Sequence, residues 1–311
     1  KPPATRGPLP FLGRHTEIEL ILSTEPVPVI HIVGPGGAGK SALLAEVRRR
    51  APDRVGVGRG PGSAGAVRLA WLRSALVDLG AHPDQLGILD RAMTERRALS
   101  PAELELVSAA LRPAEPLVLA VDDAQDLDDD SVTELAWLGQ RCPLLCVTLA
   151  YRYPSAIAGR PVAGLGTGLV LRLAPLTSTE LEPVGEPGLA EQTGGIPALV
   201  AAARRAPEVA ASVAMEIARL RTRWMPEKAW EILRLCATLG SLRVGELSAL
   251  TGLPLTDVLT SVDQLVHAHL LTEGPGGHVR HRSTLIRAAV AEQVSSAHGI
   301  HLRERLAASG E

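Results

Sequence analysis

Gly34-Pro35-Gly36-Gly37-Ala38-Gly39-Lys40-Ser41 fits the eight-residue spacing G-x-x-x-x-G-K-[ST]. In that pattern, backbone N–H groups uncovered by glycine converge on phosphate oxygens while the following helix points its positive end at them. Lys40 would then bridge the outer phosphates and Ser41 would ligate a magnesium ion. Gly34, Pro35, Gly36, Gly37, Ala38, Gly39 and Ala42 would complete the cradle. The lysine stands out because, among 32 basic residues, only Lys1, Lys40 and Lys228 are lysines. A plain glycine-rich turn is the competing reading. The apolar run Val27 to Val33 ahead of the loop and the helical spacing of Leu43, Leu44 and Val47 behind it favour a phosphate loop.

A second chemical cluster follows Leu117-Val118-Leu119-Ala120-Val121, a run apolar on both faces that suits an internal strand of a parallel sheet. It ends in Asp122-Asp123. A carboxylate at the end of such a strand holds magnesium in related nucleotide sites, which is the role expected of Asp122. Asp123 is placed to orient or activate an attacking water. The alternative is an acidic loop, since Asp126, Asp128, Asp129 and Asp130 follow. Arg152, behind the apolar run Leu144 to Ala150, could bring its guanidinium to the terminal phosphate and report its presence; a solvated loop arginine is the alternative. The catalytic candidates are thus Lys40, Asp122 and Asp123, and the metal ligands Ser41 and Asp122.

The elements that must position these groups alternate. Strands are expected at 28–33, 54–58, 117–121, 144–150 and 169–173, with helices at 41–50, 66–79, 101–111 and 131–141. Ser100 and Glu103 form a capping box at the start of the third helix. Strand and helix in alternation imply a doubly wound parallel sheet, an α/β fold. From Ser178 helices replace strands, and Pro197 opens one of them after Gly194-Gly195-Ile196. Beyond Pro226, three helical stretches precede Leu270 to His281, which reads as a two-stranded wing around Gly274-Pro275-Gly276-Gly277. A long helix from about Thr284 closes the pattern. The expected organisation is a linker over 1–10, a phosphate-loop nucleotide-binding domain over 11–175, a helical domain over 176–225 and a winged-helix domain over 226–311.

With 311 residues and 46% hydrophobic content the chain can bury several cores. No apolar stretch approaches the roughly 20 residues that span a bilayer, and the opening lacks the apolar core of a signal peptide. A cytoplasmic protein is expected, with no membrane partner. Cys142, Cys146 and Cys236 suggest neither a disulfide framework nor a zinc site. A net charge of -2 argues against broad capture of nucleic acid. The proline-rich opening reads as a linker, so a fragment of a longer protein is expected.

Several segments together resemble the STAND branch of AAA-related P-loop ATPases. They are Phe11-Leu12-Gly13-Arg14-His15-Thr16-Glu17, the phosphate loop, Val121-Asp122-Asp123-Ala124-Gln125, Leu149-Ala150-Tyr151-Arg152 and Gly194-Gly195-Ile196-Pro197. Thr284-Leu285-Ile286-Arg287-Ala288-Ala289-Val290 is similar to the end of the winged-helix part in bacterial LuxR-type large ATP-binding regulators and AfsR-type (SARP) regulators. The resemblance implies an ATP/ADP switch with Mg2+, slow hydrolysis, and ADP clamped in the resting state. It implies that Gly13 and Arg14 lie near the adenine, that Pro197 packs near base or ribose, and that Arg152 senses the outer phosphate. Partners would be other domains of the same longer protein, a homo-oligomer on activation, and DNA through a domain outside this fragment. Relatives often carry histidine where Ser283 stands, and His15 replaces a common acidic residue.

Two other functions compete. In an origin-recognition-like ATPase the winged helix itself binds DNA, through Arg280, Arg282, Arg287, Arg303 and Arg305. Against it, the recognition-helix candidate Leu255 to His269 carries Asp257 and Asp263 and no Arg or Lys. A phosphoryl-transferring enzyme is weaker, because no acceptor site is readable.

Overall fold

The computed structural model describes residues 10–25, 27–60, 67–111, 115–153 and 168–309. After α1 (His15–Ile21) the chain alternates as the spacing implies: β1 (Val29–Gly34), α2 (Lys40–Arg50), β2 (Val55–Arg59), then α3 (Ala70–Asp78), α4 (Pro83–Glu95) and α5 (Pro101–Ser108). It continues through β3 (Leu117–Asp122), α6 (Asp129–Arg141), β4 (Leu145–Arg152) and β5 (Leu169–Arg172). The strands form a parallel sheet in the order β2-β3-β4-β1-β5. Every residue of β1 and β3 is buried, which explains why their sequences lack an alternating polar face. The register brings chemistry-bearing ends together, with Gly34 opposite Arg152 and Asp122 opposite Arg59.

Two compact units are present. One comprises stretches 13–34 and 39–173; the other takes 10–12, 35–38 and the described chain from 174 onward. In the first, Trp71, Leu72 and Leu76 of α3 share a core with Leu119, Val121, Leu135 and Leu138. Trp71 Nε1 donates to Ser131 Oγ at 3.2 Å, satisfying the one polar atom of a fully enclosed indole.

The second unit contains α7 (Ser178–Leu181), α8 (Leu189–Thr193), α9 (Pro197–Arg205), α10 (Pro207–Thr222), α11 (Glu227–Leu239), β6 (Leu242–Arg243), α12 (Val244–Thr251) and α13 (Leu255–His267). It ends with β7 (Leu271–Gly274), β8 (His278–His281), α14 (Thr284–Ala291) and α15 (Ser296–Ser309). Leu199, Ile217, Ile232, Leu233, Val262, Leu265 and Ile286 belong to a single apolar core. Two expectations need correction. The strand pair at 270–281 is part of a three-stranded antiparallel sheet, β6-β8-β7, because Leu242 and Arg243 pair with Val279 and His278. The long helix from Thr284 is broken after Ala291. Ser295 Oγ accepts from His298 N at 3.3 Å and so starts α15 afresh.

All three cysteines are buried and unlinked. No helix among the described residues is long and apolar enough to cross a membrane.

Candidate functional site

Gly37 and Gly39 hold the loop after β1 in left-handed backbone, with φ of 79° and 93°. Ala38 N closes a turn onto Pro35 O at 3.2 Å, and α2 begins at Lys40. First-turn N–H groups of α2 therefore point back toward the loop, the arrangement that attracts an anion. Lys40 is only 8% exposed, and its Nζ donates to Gly34 O at 2.8 Å. The same carbonyl accepts from Tyr153 N at 3.2 Å. A buried ammonium needs such acceptors to remain charged. Ser41 and Ala42 are exposed.

Asp122 ends β3, buried, with Oδ1 accepting from Asp123 N at 3.0 Å. Asp123 has a φ of 49°, and its carboxylate is occupied on both sides. Its Oδ2 accepts from Arg59 Nε at 3.0 Å and Nη2 at 2.7 Å; its Oδ1 accepts from Gln125 Nε2 at 3.1 Å and lies 3.6 Å from Arg152 Nη2. Burial acts to raise its pKa, but the bonds from Arg59 and Gln125 and the Arg152 charge outweigh it and hold the carboxyl below its ordinary value. Asp126 moves the other way, raised by burial and then by the Asp123 charge. Gln125 Oε1 also accepts from Arg152 N at 3.2 Å, tying the ends of β3 and β4 together.

The structure thus brings Asp122, Asp123 and Arg152 to adjoining strand ends, and Gly34 pairs with Arg152. Arg59 and Gln125 belong to the same cluster, although spacing in the sequence points to a role for neither. The only signal for Arg59 was its position closing a short glycine-rich strand, Val-Gly-Val-Gly-Arg. Gly13 and Arg14 form the turn into α1, both with positive φ, and Arg14 Nη1 donates to Glu17 Oε1 at 3.2 Å.

The loop residues 35–38 group with the second unit. There Gly36 O accepts from Arg221 Nε at 2.9 Å and Gly37 O from Ala198 N at 3.2 Å, just after Pro197 opens α9. A Cβ on Gly36 would fall 2.3 Å from Leu220 Cδ2, and one on Gly37 would fall 3.2 Å from Ala198 Cβ. The loop backbone therefore lies directly on α9 and α10. Arg221, 5% exposed, also donates from Nη1 to Ala268 O at 2.7 Å and His269 O at 3.4 Å, in the turn between α13 and β7. Burial, then the Arg282 charge, lowers its pKa to about 9, so it remains cationic at neutral pH. Carbonyl oxygens take the place of a carboxylate partner.

Ser283 is also committed within this unit. Its hydroxyl donates to Gln192 O at 2.6 Å and accepts from Ile286 N at 3.2 Å, capping α14 and fastening it to α8. Among the described residues, no three His, Cys, Asp or Glu side chains gather as a metal cage. Mg2+ bound with phosphates needs only one or two protein oxygens, and a hydroxyl and a carboxylate such as Ser41 and Asp122 are of the right hardness.

Residues 10–147 match the AAA ATPase domain model. Among solved structures, the chain is similar to a Walker-type ATPase of Pyrococcus abyssi at 17% identity and a TM-score of 0.57, covering 90% of this chain and 96% of that one. A STAND protein with a tetratricopeptide-repeat sensor from Pyrococcus horikoshii matches at 16% identity and a TM-score of 0.40; the match covers 95% of this chain and 44% of that one. Cdc6p from Pyrobaculum aerophilum matches at 16% identity and 0.43, covering 98% and 97%. No curated protein sequence matches. The likeness of fold rests on the first structure. The match to the AAA ATPase domain model takes in the phosphate loop and Asp122.

Proposed function

We propose that the chain is the ATP/ADP-binding switch module of a transcriptional regulator, reset by slow Mg2+-dependent hydrolysis. The observation that carries this reading is Arg221, whose one guanidinium holds both the Gly36 carbonyl of the phosphate loop and the α13–β7 turn. A change in loop backbone on nucleotide exchange would alter that bond, and hence the turn. In this reading α11–α14 and β6–β8 form a winged helix acting as an intramolecular clamp. The working division is 11–175, 176–225 and 226–311. DNA contact would belong to other domains of a longer protein.

Gly34 to Ala42 would cradle the phosphates, with Gly13, Arg14 and Pro197 toward the base. Ser41 and Asp122 would hold Mg2+, which supplies charge neutralisation on the phosphate oxygens. Lys40 would exchange its bond to Gly34 O for the outer phosphates. Asp123 supports slowness: a carboxylate held below its ordinary pKa by Arg59, with Arg152 also close, is a weak base. Movement of Arg152 to an outer phosphate would release one of those two cations, so nucleotide sensing and water activation share a residue.

The test is mass spectrometry of nucleotide released from purified protein, paired with multiple-turnover kinetics. Bound ADP and turnover far below the typical enzyme value of about 10 s⁻¹ are expected; sustained turnover at that level would count against a switch.

The exposed Arg280, which has no ion-pair partner among the described residues, favours a second reading in which the winged helix of an origin-recognition-like ATPase binds DNA directly. The absence of Arg and Lys from α13, whose Asp257 is paired with Lys228 at 2.9 Å, weighs against it. A gel shift over a salt series decides: tight binding with a steep salt slope would select this second reading.

A further inference from the structure

An open cavity of about 800 Å³ lies in the second unit, and its walls include Arg280, Arg282, Arg287, Thr177, Ser178 and Glu191. No residue of 34–42 lines it. Three guanidiniums face one lining carboxylate there. His281 also borders the cavity but adds no charge, because burial lowers its pKa to about 4.

Arg282 is the informative wall. Its guanidinium is half-buried, its side chain makes no hydrogen bond or ion pair among the described residues, and Nε is enclosed without a partner. Its stem lies close against Gly194, which has a φ of 62° and where a Cβ would sit 2.7 Å from Arg282 Cγ. Arg221, the other buried arginine nearby, is satisfied by carbonyls, whereas Arg282 has none. Arg287 spends Nε on Ala237 O at 3.1 Å. Desolvating a guanidinium without acceptors is costly, and the cost is recovered when an anion enters. Planar guanidinium forks match phosphate oxygens two at a time, and a phosphate monoester carries nearly two charges near neutral pH. The volume lies in the range of small-molecule sites and exceeds what inorganic phosphate alone would fill.

We propose that this cavity binds the phosphate monoester group of a small metabolite, at a site separate from the phosphate loop and anchored by Arg280 and Arg282. An effector there would join the Gly194–Gly195 strip to the β8–α14 junction, both of which contribute walls.

Calorimetric titration at constant ionic strength tests it, with ribose 5-phosphate as the monoester probe and ribose as control. The proteins are the full chain and its Lys40→Ala, Arg280→Gln and Arg282→Gln variants, with ATP titrated in parallel. Ribose 5-phosphate should bind, ribose should not, and Lys40→Ala should leave monoester affinity within about twofold. Arg282→Gln and the exposed Arg280→Gln should each weaken it about tenfold or more, the loss expected for a charged hydrogen bond, while ATP affinity stays unchanged in Arg280→Gln. Arg280→Gln keeps the test valid should Arg282→Gln misfold. The proposal is overturned by no monoester binding, by loss in Lys40→Ala with Arg280→Gln unaffected, or by duplex DNA binding through these arginines without monoester binding. A nucleotide site that fails while the monoester still binds overturns only the switch reading.

Discussion

In the proposed site, Lys40 would be poised before a nucleotide arrives. Its ammonium rests on an oxygen, Gly34 O, so phosphate binding there would exchange one acceptor for a stronger, charged one. Lys40→Ala should lower nucleotide affinity by about a hundredfold, the scale of one or two charged hydrogen bonds, and calorimetry showing unchanged affinity would refute the site. Asp122→Asn keeps shape but loses charge. Affinity should change little, while Mg2+-dependent hydrolysis falls by about 10- to 100-fold. His281 gives a pH prediction. Burial foremost, with the Arg287 charge adding to it, depresses its pKa to about 4 although Nε2 bonds Leu233 O at 2.9 Å. The unfolded state then takes up a proton below about pH 6.5 that the folded state refuses. Stability should be full above that pH and fall by roughly 3 kcal/mol as it drops toward 4. Urea midpoints would show this slope, and His281→Asn should flatten it relative to wild type.

At the scale of elements, the α8–α9 connection is the most constrained. Gly195 has a φ of 69°, and a Cβ there would stand 2.0 Å from Leu176 O, whose own N–H donates to Gly195 O at 2.7 Å. Gly195→Ala should therefore cost about 3 kcal/mol in denaturant unfolding, combining strain with a lost bond; a neutral result would mean the connection relaxes. Structure is most legible in this sequence where local rules decide alone. β1, the loop and β3 were legible because both-face burial leaves an unbroken apolar run and the loop spacing is chemically specific. The helix at Pro101 was legible through its capping box, which is present. α4 was not, because its capping box uses His82 with Gln85 and it buries only Leu89 and Ala92. The break between α14 and α15 was hidden as well, since apolar spacing continues while Ser295 restarts the helix. At the site, Asp122 and Asp123 were readable from their strand, but Arg59 reaches Asp123 from 64 residues away, and only sheet order makes them neighbours.

For the molecule as a whole, the proposed switch depends on one guanidinium serving distant stretches of chain. Arg221→Met leaves the Gly36, Ala268 and His269 carbonyls without that donor. A stability loss of about 3 kcal/mol is expected. In hydrogen exchange, the wild-type turn at 268–271 should change protection between ADP and ATP, and the variant should show no difference; an equal response in both would sever the proposed link. The scarcity of amines has its own consequence. With three lysines in the chain, Lys228 paired to Asp257 and Lys1 outside the described residues, acylating reagents meet very few targets. Lys40 Nζ, enclosed against Gly34 O, is shielded from them, and phosphate would shield it further. Whatever slow labelling the Lys40 peptide still shows should fall further if phosphate binds there, an intrinsic gauge of occupancy with no fluorophore introduced.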